Sequence, residues 1–326
     1  ASENIQMPTV TIAGKSADIA SGSNGESVYT ATYTMVSEDA ATTAIPFTVD
    51  FKDMASNSGT QATTLVNDSD GGVAFDKEDP TLTAVSMSSS NSDNTLAKVN
   101  DVVTVSITTS EAIITGVDPT VTIALNTATV TRNSTTSFTA VYTMSSTPND
   151  AIYDGFSIPI SISNFSDPTG NSGTTVTSTI DGSAVTFDKR LPTLSDVTIA
   201  SDNTNSHYAK ETDVITLTFS ASESIQTPTV KLIGSATDVT VTAGLTASEW
   251  TATTTVTSSH TEGTTTFEIT FSDLVGNAGV EPVDVKTSGK NVTIDRSAPT
   301  ISTASIASNN GNGTELAVPG NIIELT

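Results

Sequence analysis

The chain has no cysteine among its 326 residues, so no disulfide framework can hold it and no thiolate is available as nucleophile or metal ligand. A domain of about 110 residues can bury enough surface to fold without such staples. If the chain is extracellular, the lack of cysteine fits a prokaryotic better than an animal source. Positive charge is nearly as scarce: 12 Lys and Arg stand against 36 Asp and Glu, a net charge of −24. So acidic a surface repels phosphate backbones, which excludes nucleic acid as a partner, and it disfavours anionic lipid headgroups. It invites cations, although solubility in a salty medium accounts for the same charge. No apolar run approaches the ~18 residues of a membrane span, so direct membrane insertion of this segment is excluded. Ala1-Ser2-Glu3-Asn4 does not read as a signal peptide, and any export signal or anchor is expected outside this stretch. Gly and Pro, at 20 and 12 residues, are too few for a disordered linker.

What is abundant is Ser and Thr, arranged around recurring apolar positions. Thr is β-branched and tolerates water, so it suits the outer faces of half-buried sheets. A Pro-Thr-(Leu/Ile) start recurs at Pro80, Pro192 and Pro299, 112 and then 107 residues apart. Before each start lies Phe75-Asp76-Lys77, Phe187-Asp188-Lys189 or Ile294-Asp295-Arg296. Midway come Ser110-Glu111 and Ser222-Glu223, with Ser2-Glu3 at the head of the chain. Late in each repeat an aromatic precedes Asp and a Gly/Asn turn: Phe51…Asp53…Asn57…Gly59, Phe165…Asp167…Asn171…Gly173 and Phe271…Asp273…Asn277…Gly279. Four motifs that keep order and spacing define a tandem repeat.

Within a repeat the apolar residues alternate, as in Val103, Val105, Ile107 and in Ile215, Leu217, Phe219, which predicts half-buried strands. Trp250 takes a core-facing position filled elsewhere by Tyr29 and Phe138. Ile158, Ile160 and Ile162 fall on even positions and Phe165 on an odd one, which suggests a β-bulge. About seven short strands per repeat predict an all-β chain of tandem immunoglobulin-like Greek-key β-sandwich domains, without the Cys…Trp…Cys hallmark of antibody domains. The boundaries follow the Pro-Thr starts: a partial domain over 1–79 carrying strands C to G, complete domains over 80–191 and 192–298, and strands A and B of a further domain over 299–326. Head and tail together make about one repeat. Either the chain is a window of a longer array, or copies join head-to-tail by strand complementation.

No catalytic constellation emerges. His207 and His260 sit among Ser, Thr, Asn and Tyr and read as solvated loop residues; no phosphate loop, nucleophile elbow or zinc-protease helix motif occurs, so an enzyme is not expected. The acids are more informative because they repeat. In an immunoglobulin-like sandwich the B–C and F–G loops share the end at which strand A enters, where the preceding domain's last strand also arrives. That geometry gathers Asp76, Glu111, Asp167 and Asn171 at one junction and Asp188, Glu223, Asp273 and Asn277 at the next. Such hard oxygen donors suit Ca²⁺, and the lack of sulfur and imidazole argues against Zn²⁺. Turn formation by the same Asp and Asn side chains is the competing explanation. Asn-x-Ser/Thr sequons at Asn67, Asn133, Asn164, Asn291 and Asn312 permit glycosylation, at about the number expected by chance.

The succession D-x-x-(A)PT, an alternating strand ending in SE, and F-S-D-x-x-G-N-x-G resembles the bacterial-type immunoglobulin-like repeats of prokaryotic surface proteins. These include S-layer proteins, giant adhesins and surface filaments. The resemblance implies an extracellular, cell-surface structural protein that assembles with copies of itself. It also implies calcium at the domain junctions, with Asp76, Glu111, Asp167, Asp188, Glu223 and Asp273 as ligands. Two departures qualify it: Met54-Ala55-Ser56-Asn57 has no Gly before Asn, and Pro319-Gly320-Asn321 stands where other repeats carry Asp101 or Asp213. The alternative is an accessory carbohydrate-binding or spacer array of a secreted hydrolase, with glycans as partners. An aromatic share of 5%, mostly on core-facing positions, speaks against it.

Overall fold

The structure is a computed structural model that describes residues 1–65, 72–147, 153–235, 237–280 and 282–326. The sequon at Asn67 lies outside the described residues. Every regular element described is a β-strand, almost all paired antiparallel, and no described residue is helical. The chain divides into two compact units, Ala1–Lys189 and Arg190–Thr326.

The first unit contains a two-sheet sandwich whose core runs from Val85 to Phe187. Alternation builds it directly. Along Val102–Thr109, Val103, Val105 and Ile107 are buried while Thr104, Ser106 and Thr108 face outward, as the two-residue period of a strand requires. The larger sheet has the order Thr129–Arg132, Ser137–Thr143, Val102–Thr109, Leu82–Ser89; the facing one has Asn126–Thr127, Thr120–Ile123, Ile160–Ser163. Phe138, Val121, Ile123 and Ile162, from both sheets, are fully buried between them. Leu96–Ala97 pairs in parallel with Thr186–Phe187, so a strand near the start of the sandwich is tied to its last one. Thr186–Phe187 is the last of the seven strands expected, beside six of four or more residues, and Leu96–Ala97 is additional to them.

The irregularity before Phe165 is a single extra residue. Ile162 and Ile269 make the same backbone exchange with Val176 and Val283, but Phe165 follows three residues later and Phe271 only two. Asn164 absorbs the difference at φ 55°, a left-handed conformation that Asn tolerates better than most, and returns Phe165 to the core. The ladder of Ile160–Ser163 shows no register shift; the shift in this sandwich falls between Leu82 and Ala84.

The head of the first unit, residues 1–65 and 72–79, has the same local pairings with less burial. Thr9–Ile12 pairs with Phe47–Asp50, and Asp18–Ser21 with Thr30–Thr32. Ile5, Pro8, Val10 and Ala17 are its buried apolar residues among those described. An apolar cleft of about 570 Å³ opens beside them.

In the second unit a larger sheet of order Leu194–Ser201, Val214–Ala221, Glu249–Thr255, Thr240–Ala243 faces the pair Thr229–Leu232 and Phe267–Thr270. They share one core with Trp250, which is 7% exposed and donates its indole N–H to the Ala247 carbonyl at 3.3 Å. Tyr208–Ala209 repeats the parallel pairing, with Thr293–Ile294. His260 departs from its expected solvated state. It is 7% exposed, and its Nδ1 accepts a hydrogen bond from the Thr257 backbone N–H at 2.9 Å, closing a turn. Beyond the core, Ile306–Ser308 and Ile323–Leu325 form an exposed hairpin.

Candidate metal centre

The repeated aromatic–Asp–Asn–Gly motif folds three times into one turn. In each, the Asp N–H donates to the Asn carbonyl at 3.0 Å, and the Gly N–H donates to the aromatic's carbonyl at 2.9 to 3.0 Å. The Asn backbone N–H donates to Asp Oδ1 at 2.8 Å in Asp53, Asp167 and Asp273. The Asn side-chain Nδ2 donates to Oδ2 of the same residues at 2.7 to 2.8 Å. The motif's Gly lies flat on the aromatic ring: a Cβ there would come within 2.2 Å of Phe51, 1.9 Å of Phe165 or 2.4 Å of Phe271. No side chain fits in that space, which is why Gly59, Gly173 and Gly279 each follow their Phe by the same number of residues.

At Asp167 the turn is most elaborate. Oδ1 also accepts the backbone N–H of Thr169 and of Gly170, at 2.9 and 2.7 Å. Burial works to raise this carboxyl, which is fully enclosed, but the donors from Asn171, Thr169 and Gly170 together outweigh it and hold it below the ordinary aspartate value. It is therefore an ionised carboxylate inside the protein, with Oδ1 crowded by donors and Oδ2 less so.

Two more carboxylates meet it. Asp76, Glu111 and Asp167 each bring an oxygen within 4.8 Å of the others, with Asp76 and Glu111 half-buried. Asp76 arrives on the segment leading to the Pro-Thr start, where its Oδ1 accepts the Glu78 N–H at 3.1 Å. Glu111 follows the strand Val102–Thr109, anchored by the Thr109 hydroxyl, which donates to its carbonyl at 2.5 Å. Glu111 carries the electrostatic signature of the group: burial first, then the charges of Asp76, Asp167, Glu78 and Asp79, push its carboxyl above the ordinary value. Asn171 enters as a donor, its Nδ2 giving hydrogen bonds to Asp167 Oδ2 and, at 3.3 Å, to the Asp76 carbonyl. It orients the carboxylate and links the segment carrying Asp76 to the turn.

In the second unit, Glu223 and Asp273 likewise bring carboxylate oxygens within 4.8 Å of each other. Asp273 is 1% exposed, and Asn277, also buried, holds it as Asn171 holds Asp167. Asp188 belongs to the end of the first unit, where its N–H donates to the Ala97 carbonyl at 2.9 Å. The A–B loop acids serve their own loops: Asp93 accepts from the Thr95 N–H and hydroxyl, and Asp202 from the Val214 N–H. Where other repeats have Asp101 and Asp213 accepting the N–H of Lys98 and Lys210, Asn321 Oδ1 accepts that of Val318 at 2.8 Å, so the substitution preserves the turn.

Turn chemistry thus accounts for Asp53, Asp167 and Asp273, but not for the approach of Asp76 and Glu111 to Asp167. Three carboxylates with backbone carbonyls nearby form a hard, anionic oxygen set, the kind that holds a divalent cation of the Ca²⁺ type. No protein-family model matches the sequence, and no characterised protein matches it.

Proposed function

We propose that this chain is a non-enzymatic, extracellular structural array of immunoglobulin-type sandwiches from a prokaryotic cell surface, stiffened by Ca²⁺ at its domain junctions. The immunoglobulin-type reading is supported by strand order. Among the six described strands of four or more residues in the first unit's sandwich, the first lies beside the second, the second beside the fifth and the fifth beside the fourth, the arrangement of that fold's larger sheet. The observation that carries the calcium reading is the meeting of Asp76, Glu111 and Asp167. Asp76 lies at the end of the head segment; Glu111 and Asp167 sit on loops at one end of the following sandwich. A cation held by all three ties the segment to the sandwich, and without it their mutual repulsion loosens the joint. In the second unit, Glu223 and Asp273 occupy the same repeat positions as Glu111 and Asp167.

The test is thermal unfolding of the full chain with calcium and with chelator. At a hundredfold excess over the dissociation constant, a cation that binds the folded form alone adds about 2.7 kcal/mol. Glu111→Gln separates this reading from turn chemistry, because Glu111 takes no side-chain part in the turn. It is expected to raise the midpoint in chelator, by relieving repulsion, and to abolish most of the calcium response. A midpoint indifferent to calcium in the unsubstituted chain would leave the acids as turn formers and surface charge.

A further inference from the structure

The turn closed by His260 has a counterpart in the head of the first unit. There the Asp39 N–H donates to the Val36 carbonyl at 3.0 Å, and Asp39 Oδ2 accepts the Val36 N–H at 2.9 Å. In the second unit the His260 N–H donates to the Thr257 carbonyl at 3.1 Å, and His260 Nδ1 accepts the Thr257 N–H at 2.9 Å. Each turn holds the segment that leads to the next Pro-Thr start. Lys77 Nζ donates to the Ser37 carbonyl at 3.1 Å, and Arg296 Nη1 donates to the Ser258 carbonyl at 2.9 Å. The second unit adds a further tie, because Glu262 Oε1 accepts the Arg296 N–H at 2.9 Å and the Ser297 hydroxyl at 3.0 Å.

The two turns differ in what their acceptor can become. An ionised carboxylate only accepts, whereas an imidazole nitrogen that takes up a proton turns from acceptor to donor. A protonated Nδ1 would face the Thr257 N–H donor to donor, on a buried side chain with little access for water. The Thr257 hydroxyl lies 3.4 Å from Nδ1, too far to replace the bond, and is shared with Ser259 at 2.7 Å. The charged groups on the adjoining segments are already engaged. Glu262 is held below the ordinary glutamate value by the Arg296 N–H and the Ser297 hydroxyl, so it stays ionised in mild acid. Asp213, on the segment that exchanges backbone hydrogen bonds with Val256 and also carries Lys210 and Glu211, is lowered by the Lys210 N–H and the Asn203 amide. Asp295 accepts the Ser297 N–H at 3.1 Å. Arg296 brings a positive charge to Ser258, two residues before His260, which opposes a second one in the same turn.

We propose that His260 is a proton-sensitive latch: mild acidification breaks its turn and releases the Arg296–Ser297 segment from the second unit's sandwich. The device goes beyond the calcium reading and stands without it. The test is nuclear magnetic resonance of the full chain in chelator, with its histidines labelled in both ring nitrogens. His207 is the other histidine of the chain, so two imidazoles make up the whole ring spectrum. At about pH 7.5 His260 should show a bare, hydrogen-bonded Nδ1 with the proton on Nε2, and by about pH 5.5 both nitrogens should carry protons. Over the same interval the Thr257 and Arg296 amides should lose about tenfold in hydrogen-exchange protection, after correction for intrinsic rates, the equivalent of one hydrogen bond. Both amides lie in the second unit, so the titration of Glu111 in the first does not enter. His260→Asn places at this position an amide oxygen that accepts at every pH, and it should keep the turn and abolish the loss. An Nδ1 already protonated at the higher pH or still bare at the lower one would overturn the proposal. So would protection that survives protonation of His260, or a loss that persists in His260→Asn.

Discussion

The turn at Asp53–Asn57 and the turn at Asp167–Asn171 have the same hydrogen bonds and different surroundings. Both carboxylates are gripped by their Asn through backbone and side chain, and both are held below the ordinary aspartate value. Asp53 is only half-buried, as is Phe51 beneath it beside the open cleft. Asp167 is enclosed, Phe165 is 1% exposed, and Asp76 and Glu111 close in on it. The turn is therefore a local product of its own residues and forms whether or not a full sandwich surrounds it. The acid cluster is a product of the tandem arrangement, since Asp76 comes from the segment before the sandwich.

The strongest way to break the comparison is through the glycines. Gly173→Ala would drive a methyl group into the ring of a fully packed Phe165, and overpacking of this kind costs about 3 kcal/mol. Gly59→Ala meets Phe51 just as closely, but that ring borders a cleft and can shift, so about 1 kcal/mol is expected. Chemical denaturation followed region by region with hydrogen exchange measures both; equal costs would mean that the head is as tightly packed as the sandwich.

A smaller effect sharpens the comparison at the turn itself. Gly170 and Gly276 adopt φ of 99° and 93°, and the head places Ser56 there at φ 69°. Ser56→Gly relieves that strain and should stabilise the head by about 0.5–1 kcal/mol after the entropy of the added glycine is counted. A destabilisation at this position would mean that the contact it loses, Gln6 Nε2 donating to the Ser56 hydroxyl at 3.0 Å, outweighs the backbone strain.

The smallest expected effect is in pH. The folded value of Glu111 lies above its ordinary 4.5, so the stability it contributes is full below 4.5 and is lost as pH rises through the folded value. Asp53 and Asp167 run the other way: their contributions are present above 3.8 and are lost as pH falls through their lowered folded values. In chelator, acidification from neutral toward 4.5 should therefore stabilise the unsubstituted chain relative to Glu111→Gln. Parallel midpoints for the two proteins across that range would show that Glu111 does not feel its neighbours.

Much of this was legible in the sequence because the repeat restates itself. Alternation at Val103, Val105 and Ile107 located a strand and its buried face, and the order of Asp76, Glu111 and Asp167 within successive motifs brought them to one place. Other features escaped because their cause is three-dimensional. Gly59, Gly173 and Gly279 were visible as repeating letters, but their contact with a ring eight residues earlier appears only once the hairpin is folded. The insertion at Asn164 shows in the sequence only as a broken period, which does not distinguish an added left-handed residue from a ladder shift. The burial of His260 had no signal in its polar neighbours. Nor did any local pattern announce that Leu96–Ala97 would lie parallel to Thr186–Phe187.

That parallel pairing has a mechanical consequence. Chain tension enters each sandwich near its first strand and leaves from its last. Once past Leu82–Ser89 it pulls Leu96–Ala97 and Thr186–Phe187 in opposite directions along their common axis. The bonds bridging them, Thr186 N–H to Thr95 O at 2.8 Å and Asp188 N–H to Ala97 O at 2.9 Å, lie across the pull and are sheared together rather than unzipped singly. Thr293 N–H to His207 O and Asp295 N–H to Ala209 O, both 2.9 Å, form the same clamp in the second unit. Each sandwich thus resists extension through its own clamp, and a tether made of them would yield one clamp at a time.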